Sequence, residues 1–467
     1  MIFSSIIFLF VFLPIVLFLY FLSADRYRNY ILLAFSLLFY AYGEPRAVFL
    51  MLFSIAVNYG AGLLVERFAD YKKIILVADV AINLGILFYF KYLNYGVSIL
   101  NTIFDNRFPQ TNIALPIGIS FFTFQAMSYV IDVYRGDAVA EKNLCNVGLY
   151  VSFFPQLVAG PIVRYGTIAQ QIKVRQVTVD KFGKGVSRFA RGFAKKIILA
   201  NNLALLADGA FLYVDQANLP LSLAWIGSIA YSLQIFFDFS GYSDMAIGLG
   251  RMFGFDIPEN FNYPYIAGSI TDFWRRWHIS LSQWFRDYVY IPLGGNRVKV
   301  SRNILNLFIV WALTGLWHGA NITFVVWGLM YFVMLIFEKY VFKPDNKGAA
   351  VKVLWRIVTL LIVNFGWVLF KAESFERAAM MYRAMFGRTH IICDDITLGL
   401  IDEYKWFVVL GVIVSMPFIA KFEALLSKTR GKAVADVLSV VCELILLVIS
   451  ISYLVLGAHN PFIYFNF

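Results

Sequence analysis

Two of the four histidines, His278 and His318, fall in one block. It runs FWRRWHISLSQWFRDYVYIPLGGNR from Phe273 to Arg297 and continues with WALTGLWHGAN from Trp311 to Asn321. A neutral imidazole is suited to accept a proton from a hydroxyl nucleophile as that nucleophile attacks an acyl carbon. His318 stands between Trp317 and Gly319 in an apolar stretch from Ile304 to Phe337, with Thr314, Asn321 and Thr323 as its few polar neighbours. A charged residue at membrane depth costs ~2.5–3.5 kcal/mol on insertion scales and usually faces a cavity or pathway, a cost that a neutral histidine largely avoids. A packing histidine bonded to a neighbouring carbonyl is the alternative. Gly315 and Gly319 flank the Trp-His pair and permit a break or a close backbone approach there. The chemistry these residues imply is acyl transfer inside a membrane cavity, with His318 and His278 as the catalytic candidates and Trp317 and Asn321 lining the core. No G-x-S-x-G elbow, P-loop or H-E-x-x-H pattern competes. Cys145, Cys393 and Cys442 form no C-x-x-C pattern, so no metal site is expected.

The element that must position His278 is predicted as one helix over Phe273 to Tyr288. At 100° per residue, Trp277, Leu281, Trp284 and Tyr288 make an apolar stripe and Arg275, His278, Ser282 and Arg286 a polar one beside it. Such a basic, Trp-rich helix fits the cytoplasmic headgroup layer, which accounts for its arginines without further function. Arg275, Arg276 and Arg286 are also candidates for holding phosphates of a donor, because guanidinium suits phosphate.

These segments are embedded in a chain of 467 residues that is 60% apolar, 18% aromatic and 15% charged. Apolar runs near the ~20 residues that cross a bilayer recur throughout, so the fold class is an all-α polytopic membrane protein of about ten to twelve crossings. The net charge of +11 is spread between apolar spans. It follows positive-inside bias and not a nucleic-acid surface. The most basic stretch, Arg164 to Lys196, is placed in the cytoplasm as a loop, and alternation from there puts both termini outside. Asn146 to Tyr165, interrupted by Pro155, Gly160 and Pro161, has two readings, a re-entrant element and a Pro-kinked span. With no linker and no repeat, residues 1–467 are taken as one membrane domain, with 273–321 as its catalytic block and 459–467 as an extracytoplasmic tail.

The block resembles the membrane-bound O-acyltransferase superfamily, in its bacterial branch of alginate and peptidoglycan O-acetyltransferases and teichoic acid D-alanyl transferases. Supporting matches are VAGPIVRY (Val158 to Tyr165), FDFSGYSDMAIGLG (Phe237 to Gly250) and ENFNYPY (Glu259 to Tyr265). The resemblance implies a ring of tilted and broken helices around a central funnel in a bacterial cytoplasmic membrane. It makes His318 the family's catalytic histidine and His278 its second conserved-type position. It also implies acetyl-CoA as donor substrate with no tightly bound cofactor, an SGNH-type extracytoplasmic transferase as partner, and an exported polysaccharide as acceptor. The C-terminal FIYF, Phe462 to Phe465, resembles a motif of this branch and suggests Tyr464 as a transient acyl carrier; an aromatic anchor at the interface is the other reading. Asp238, Tyr242 and Asp244 either line the core or serve intramembrane bonding. D-alanyl transfer, or a transporter or flippase using the same cavity, are the alternatives.

Overall fold

The structure is a computed structural model that describes residues 1–467 except 106, 215–217, 427–431, 458–459, 461 and 464–467. Among the described residues it is helical throughout, without a strand. Tyr464, most of the 459–467 tail and Asp215 lie outside the described residues. Among the described residues, eight helices could by length and composition cross a membrane. A ninth is added if the pair formed by Asp395–Val414 and the helix after it, bent by 54°, counts as one span. The figure is below ten to twelve because some apolar runs form shorter helices, Phe8–Leu22 among them. The chain is a multi-pass membrane protein.

Contacts divide the chain into two compact units, Met1–Phe189 with Met245–Pro258, and Ala190–Asp244 with Glu259–Phe467. Two of the boundaries, after Phe189 and after Asp244, fall inside helices; the third, after Pro258, falls in the extended chain that follows Met252.

The first unit begins with α1 (Leu13–Leu22), α2 (Asp25–Gly43), α3 (Ala47–Arg67), α4 (Lys72–Ile103) and α5 (Ile119–Arg135). At 1.5 Å per residue the 32 residues of α4 span about 48 Å, more than a hydrocarbon core needs. In a medium with little hydrophobic drive between helices, small residues and polar pairs hold them together. Gly62 of α3 admits the Tyr129 ring of α5, where an added Cβ would lie 2.5 Å from the phenol oxygen. Asn58 and Asn83 join α3 to α4 by reciprocal amide bonds of 3.1 and 3.2 Å.

Residues 144–165 are neither one straight span nor one kinked span. They form α6 (Leu144–Ser152) and the four-residue α7 (Phe154–Leu157), then unwind as far as α8 (Tyr165–Lys173). Val147–Val163 is buried, as irregular backbone at membrane depth must be. Protein groups supply its bonds: the Tyr150 hydroxyl lies 2.9 Å from Val163 O, and Gln156 Nε2 donates to Tyr150 O at 2.7 Å.

The basic stretch expected as a loop up to Lys196 is largely helical. After α8, α9 (Val179–Ala194) runs on through Lys196 as part of a candidate span, Val179–Tyr213. Its Lys184 lies on the open side while Gly185, Phe189 and Phe193 are buried. Amphipathic spacing, invisible to a mean hydropathy reading, accounts for the difference.

The second unit holds α10 (Asn201–Tyr213), most of α11 (Leu221–Met252), α12 (Ile270–Arg276), α13 (Ile279–Phe285), α14 (Val300–His318), α15 (Ile322–Ile336), α16 (Ala349–Lys371), α17 (Phe375–Met385), α18 (Asp395–Val414), α19 (Phe418–Leu426) and α20 (Lys432–Val455). The α14–α15 hairpin is tight because Gly315 and Gly328 have no side chains: added Cβ atoms would lie 2.5 Å from Phe324 O and 2.4 Å from Trp311 O. Its core is aromatic. Trp274 meets Trp311 at 4.9 Å, Tyr331 at 4.9 Å and Trp327 at 5.5 Å between ring centres, and Trp277 meets Trp367 at 4.7 Å.

Asn83→Leu leaves the buried Asn58 amide without its partner and is expected to destabilise the detergent-solubilised protein by roughly 0.6–1.7 kcal/mol. Thermal unfolding followed by size-exclusion fluorescence measures it, and Asn58→Leu added to Asn83→Leu should recover part of the loss. An unshifted midpoint in the single variant disproves the polar clasp.

Candidate functional site

The helix expected over Phe273 to Tyr288 is a correction. The chain makes two seven-residue helices, α12 and α13, separated by Trp277 and His278. The cause lies at both ends of the break. The start of α12 is fixed by Glu338, whose carboxylate accepts from Ile270 N–H (2.7 Å), Thr271 N–H (2.8 Å), Thr271 Oγ1 (2.6 Å) and Trp355 Nε1 (2.9 Å). An anion on the exposed N–H groups of a first turn is favoured by both hydrogen bonding and the helix dipole. The backbone groups released at the break are taken up by the extended segment before it. Asn262 N–H donates to Arg276 O at 2.9 Å, Ile279 N–H to Asn260 O at 3.0 Å, and Ser280 N–H to Asn260 Oδ1 at 3.1 Å.

His278 therefore sits not on an arginine stripe but at the break, with φ 45° and ψ 53° in the left-handed region and only 1% exposed. A non-glycine residue there costs roughly 1–2 kcal/mol, which the surrounding bonds must hold in place. Its Nδ1 lies 3.3 Å from Asn260 Oδ1, which also accepts from Ser280 Oγ at 2.9 Å. An amide oxygen at that position assigns the proton to Nδ1 and makes Nε2 the basic atom. Between candidate spans, burial pushes the His278 pKa down to about 3, so the ring is neutral at physiological pH.

His318 is the last residue of α14 and 4% exposed. Its ring meets Trp317 at 4.9 Å, Trp327 at 5.1 Å and Phe370 at 5.1 Å, each edge-on. His278 meets the same Trp317 at 5.9 Å and Phe239 at 4.6 Å. The fold thus gathers both imidazoles around one indole, 40 positions apart in sequence. Two buried imidazoles in an apolar aromatic setting are suited to proton transfer from a hydroxyl.

The other candidates separate. Asn321 caps α15, accepting from Thr323 N–H at 3.1 Å and donating to Glu373 O at 2.6 Å, and is only partly buried. Asp238 and Tyr242 are buried on α11, where Asp238 pairs with Lys196 at 2.6 Å. Asp244 pairs with Lys195 at 2.7 Å. Arg276 is paired with Asp272 at 2.8 Å and Arg286 with Asp287 at 2.7 Å. Arg275 instead lines a cleft of about 760 Å³ with Lys339, Lys343, Lys352 and Arg356, against the carboxylates of Asp272 and Glu338. Five cations to two carboxylates make it a place for an anion.

Sequence reasoning missed Glu338, Lys196 and Asn260 as organisers. For Asn260 the signal was the ENFNYPY match; for Glu338 it was a lone carboxylate closing an apolar run; for Lys196 a lysine inside one.

A helical membrane protein with paired buried histidines against an aromatic core fits the comparisons. The sequence profile of MBOAT, the membrane-bound O-acyltransferase family, matches residues 138–370. The chain belongs to this family, and so is an acyltransferase. It is 48% identical over 400 residues to the probable alginate O-acetylase AlgI of Pseudomonas aeruginosa, covering 83% of this chain and 75% of that one. It is 35% identical over 425 residues to the peptidoglycan O-acetyltransferase of Helicobacter pylori, covering 83% and 80%. To the teichoic acid D-alanyltransferase of Bacillus subtilis it is 29% identical over 288 residues, covering 57% and 71%.

Because asparagine tolerates the left-handed region and a β-branched residue does not, His278→Asn is expected to stay monodisperse while losing at least about tenfold in acyl transfer. His278→Val should in addition lower the unfolding midpoint. Equal midpoints for the two variants argue against strain at this residue.

Proposed function

We propose that this acyltransferase moves acetyl groups from cytoplasmic acetyl-CoA through a bacterial inner membrane toward hydroxyls of an exported polysaccharide, alginate and peptidoglycan being the polymers named for its relatives. Delivery to the polymer is by way of an SGNH-type extracytoplasmic partner, and no tightly bound cofactor takes part. Both termini are placed outside. The observation that carries this reading is the burial of His278 and His318 on one indole, Trp317, within the region matched to the family. O-acetyl transfer is favoured over D-alanyl transfer because the relatives named for acetylation cover 83% of the chain and the alanyl one 57%.

In this reading Tyr464 is the transient acyl carrier. His318 takes the phenol proton as the phenolate oxygen attacks the thioester carbonyl carbon. The C–S bond breaks, the thiolate of coenzyme A leaves, and the imidazolium returns the proton to it. The tyrosyl ester then passes its acetyl group to a hydroxyl of the partner, and that hydroxyl's proton returns to the tyrosine. His278, fixed by Asn260 and packed on the same Trp317, supports this chemistry. The cleft lined by Arg275 suits the phosphates of the donor through its cationic excess.

His318→Ala is expected to abolish acetyl-CoA consumption by the purified protein and polymer acetylation in cells, with unchanged membrane insertion; undiminished acetylation sinks the assignment. Arg275→Ala should raise KM for acetyl-CoA several-fold with little change in kcat. Mutating Arg286, held at 2.7 Å by Asp287 outside the cleft, should change KM less.

A further inference from the structure

Two described residues of the C-terminal tail are buried. Phe462 and Ile463 are each 8% exposed within the second unit. The Ile463 N–H donates to Asp238 Oδ2 at 2.8 Å, and Asp238 Oδ1 meets Lys196 Nζ at 2.6 Å. The Phe462 ring lies 5.6 Å from Lys196 Nζ and 5.1 Å from the Tyr242 ring. Upstream, Asn201 Nδ2 reaches Asn460 Oδ1 at 3.4 Å. Asp238 and Tyr242 are one turn apart on α11, and Phe239 between them touches His278. The tail therefore packs on the turn of α11 that also contacts one of the two site histidines.

Burying a lysine and an aspartate is costly, and their attraction offsets it only if the remaining hydrogen-bonding positions are filled. Here a peptide N–H of the tail fills the second carboxylate oxygen and an aromatic face covers the ammonium. Each partner is better satisfied with the tail in place than without it, so the pair favours the seated tail. A backbone donor also makes the contact indifferent to the side chain at 463 and sensitive to the path of the chain.

We propose that the Lys196–Asp238 ion pair is a socket that seats the C-terminal tail, and that these two are positioning residues for acyl transfer. The seating stands on its own contacts; its consequence for turnover rests on the reading of Tyr464 as carrier. The test uses the full chain in detergent and two variants, Asp238→Ala and the charge-free Lys196→Met with Asp238→Leu, which strands no buried ion. Carboxypeptidase Y trimming read by intact mass should halt at Ile463 in the unmodified protein. In both variants Ile463 and Phe462 should be removed at least tenfold faster. Acetyl-CoA consumption by the untrimmed variants should fall at least tenfold with monodispersity retained. Trimming that is no faster in the charge-free variant overturns the socket, since a merely structural pair would leave the tail seated. Faster trimming with unimpaired turnover overturns the positioning role. Tyr464→Phe separates the two ideas: it should trim as the unmodified protein does, and if it keeps full turnover the carrier reading fails while the socket is still decided by trimming.

Discussion

A helix broken inside a water-poor interior releases backbone donors and acceptors that only protein can satisfy. The break at Trp277 and His278 is possible because residues 260–262 run alongside it, giving and taking hydrogen bonds on both flanks. Much of the site follows from that one interaction. Without it α12 and α13 would continue as one amphipathic helix, His278 would lie beside the arginines, and the indole of Trp317 would have one histidine neighbour. Asn260 bonds the backbone of α13 and also fixes the tautomer of His278. Position and protonation are therefore set by the same side chain.

Two buried carboxylates obey the same constraint. Glu338 is surrounded by four donors at the start of α12, and Asp238 is shared by an ammonium and a peptide N–H. Each ties segments distant in sequence, 68 residues apart for Glu338 and Ile270 and 225 for Asp238 and Ile463. A buried ion is a weak source of stability but a strong specifier of which segments meet, because removing one partner strands the other. In a unit whose core is otherwise aromatic and geometrically permissive, such ions set the register.

The aromatic core has a second effect on the chemistry. Trp327 and Phe370 meet His318 edge-on, and Trp317 meets both His318 and His278. Large rings fill space with little side-chain entropy to lose and exclude water from the imidazoles. The neutral form of His278 is favoured there, as its lowered pKa reflects. A group of cations is kept apart, lining the open cleft at Arg275.

Composition and motif were enough to establish a helical, multi-pass membrane protein and to single out His318 and His278, because apolar run length and rare intramembrane polar groups are properties of the chain read locally. The arginine roles, the cap made by Asn321 and the break at His278 were not legible there. At 100° per residue the segment reads as a satisfactory amphipathic helix, and nothing within it competes with that reading. What decides otherwise is the segment at 260–262 and the carboxylate of Glu338, supplied from elsewhere in the chain. The same holds for the tail: Phe462 and Ile463 read as interfacial aromatic and apolar residues until Lys196 and Asp238 are seen to meet them. Sequence singled out the candidate residues for the chemistry, since residue type is local; tertiary structure decided where their side chains lie, since buried polar groups choose partners across hundreds of residues.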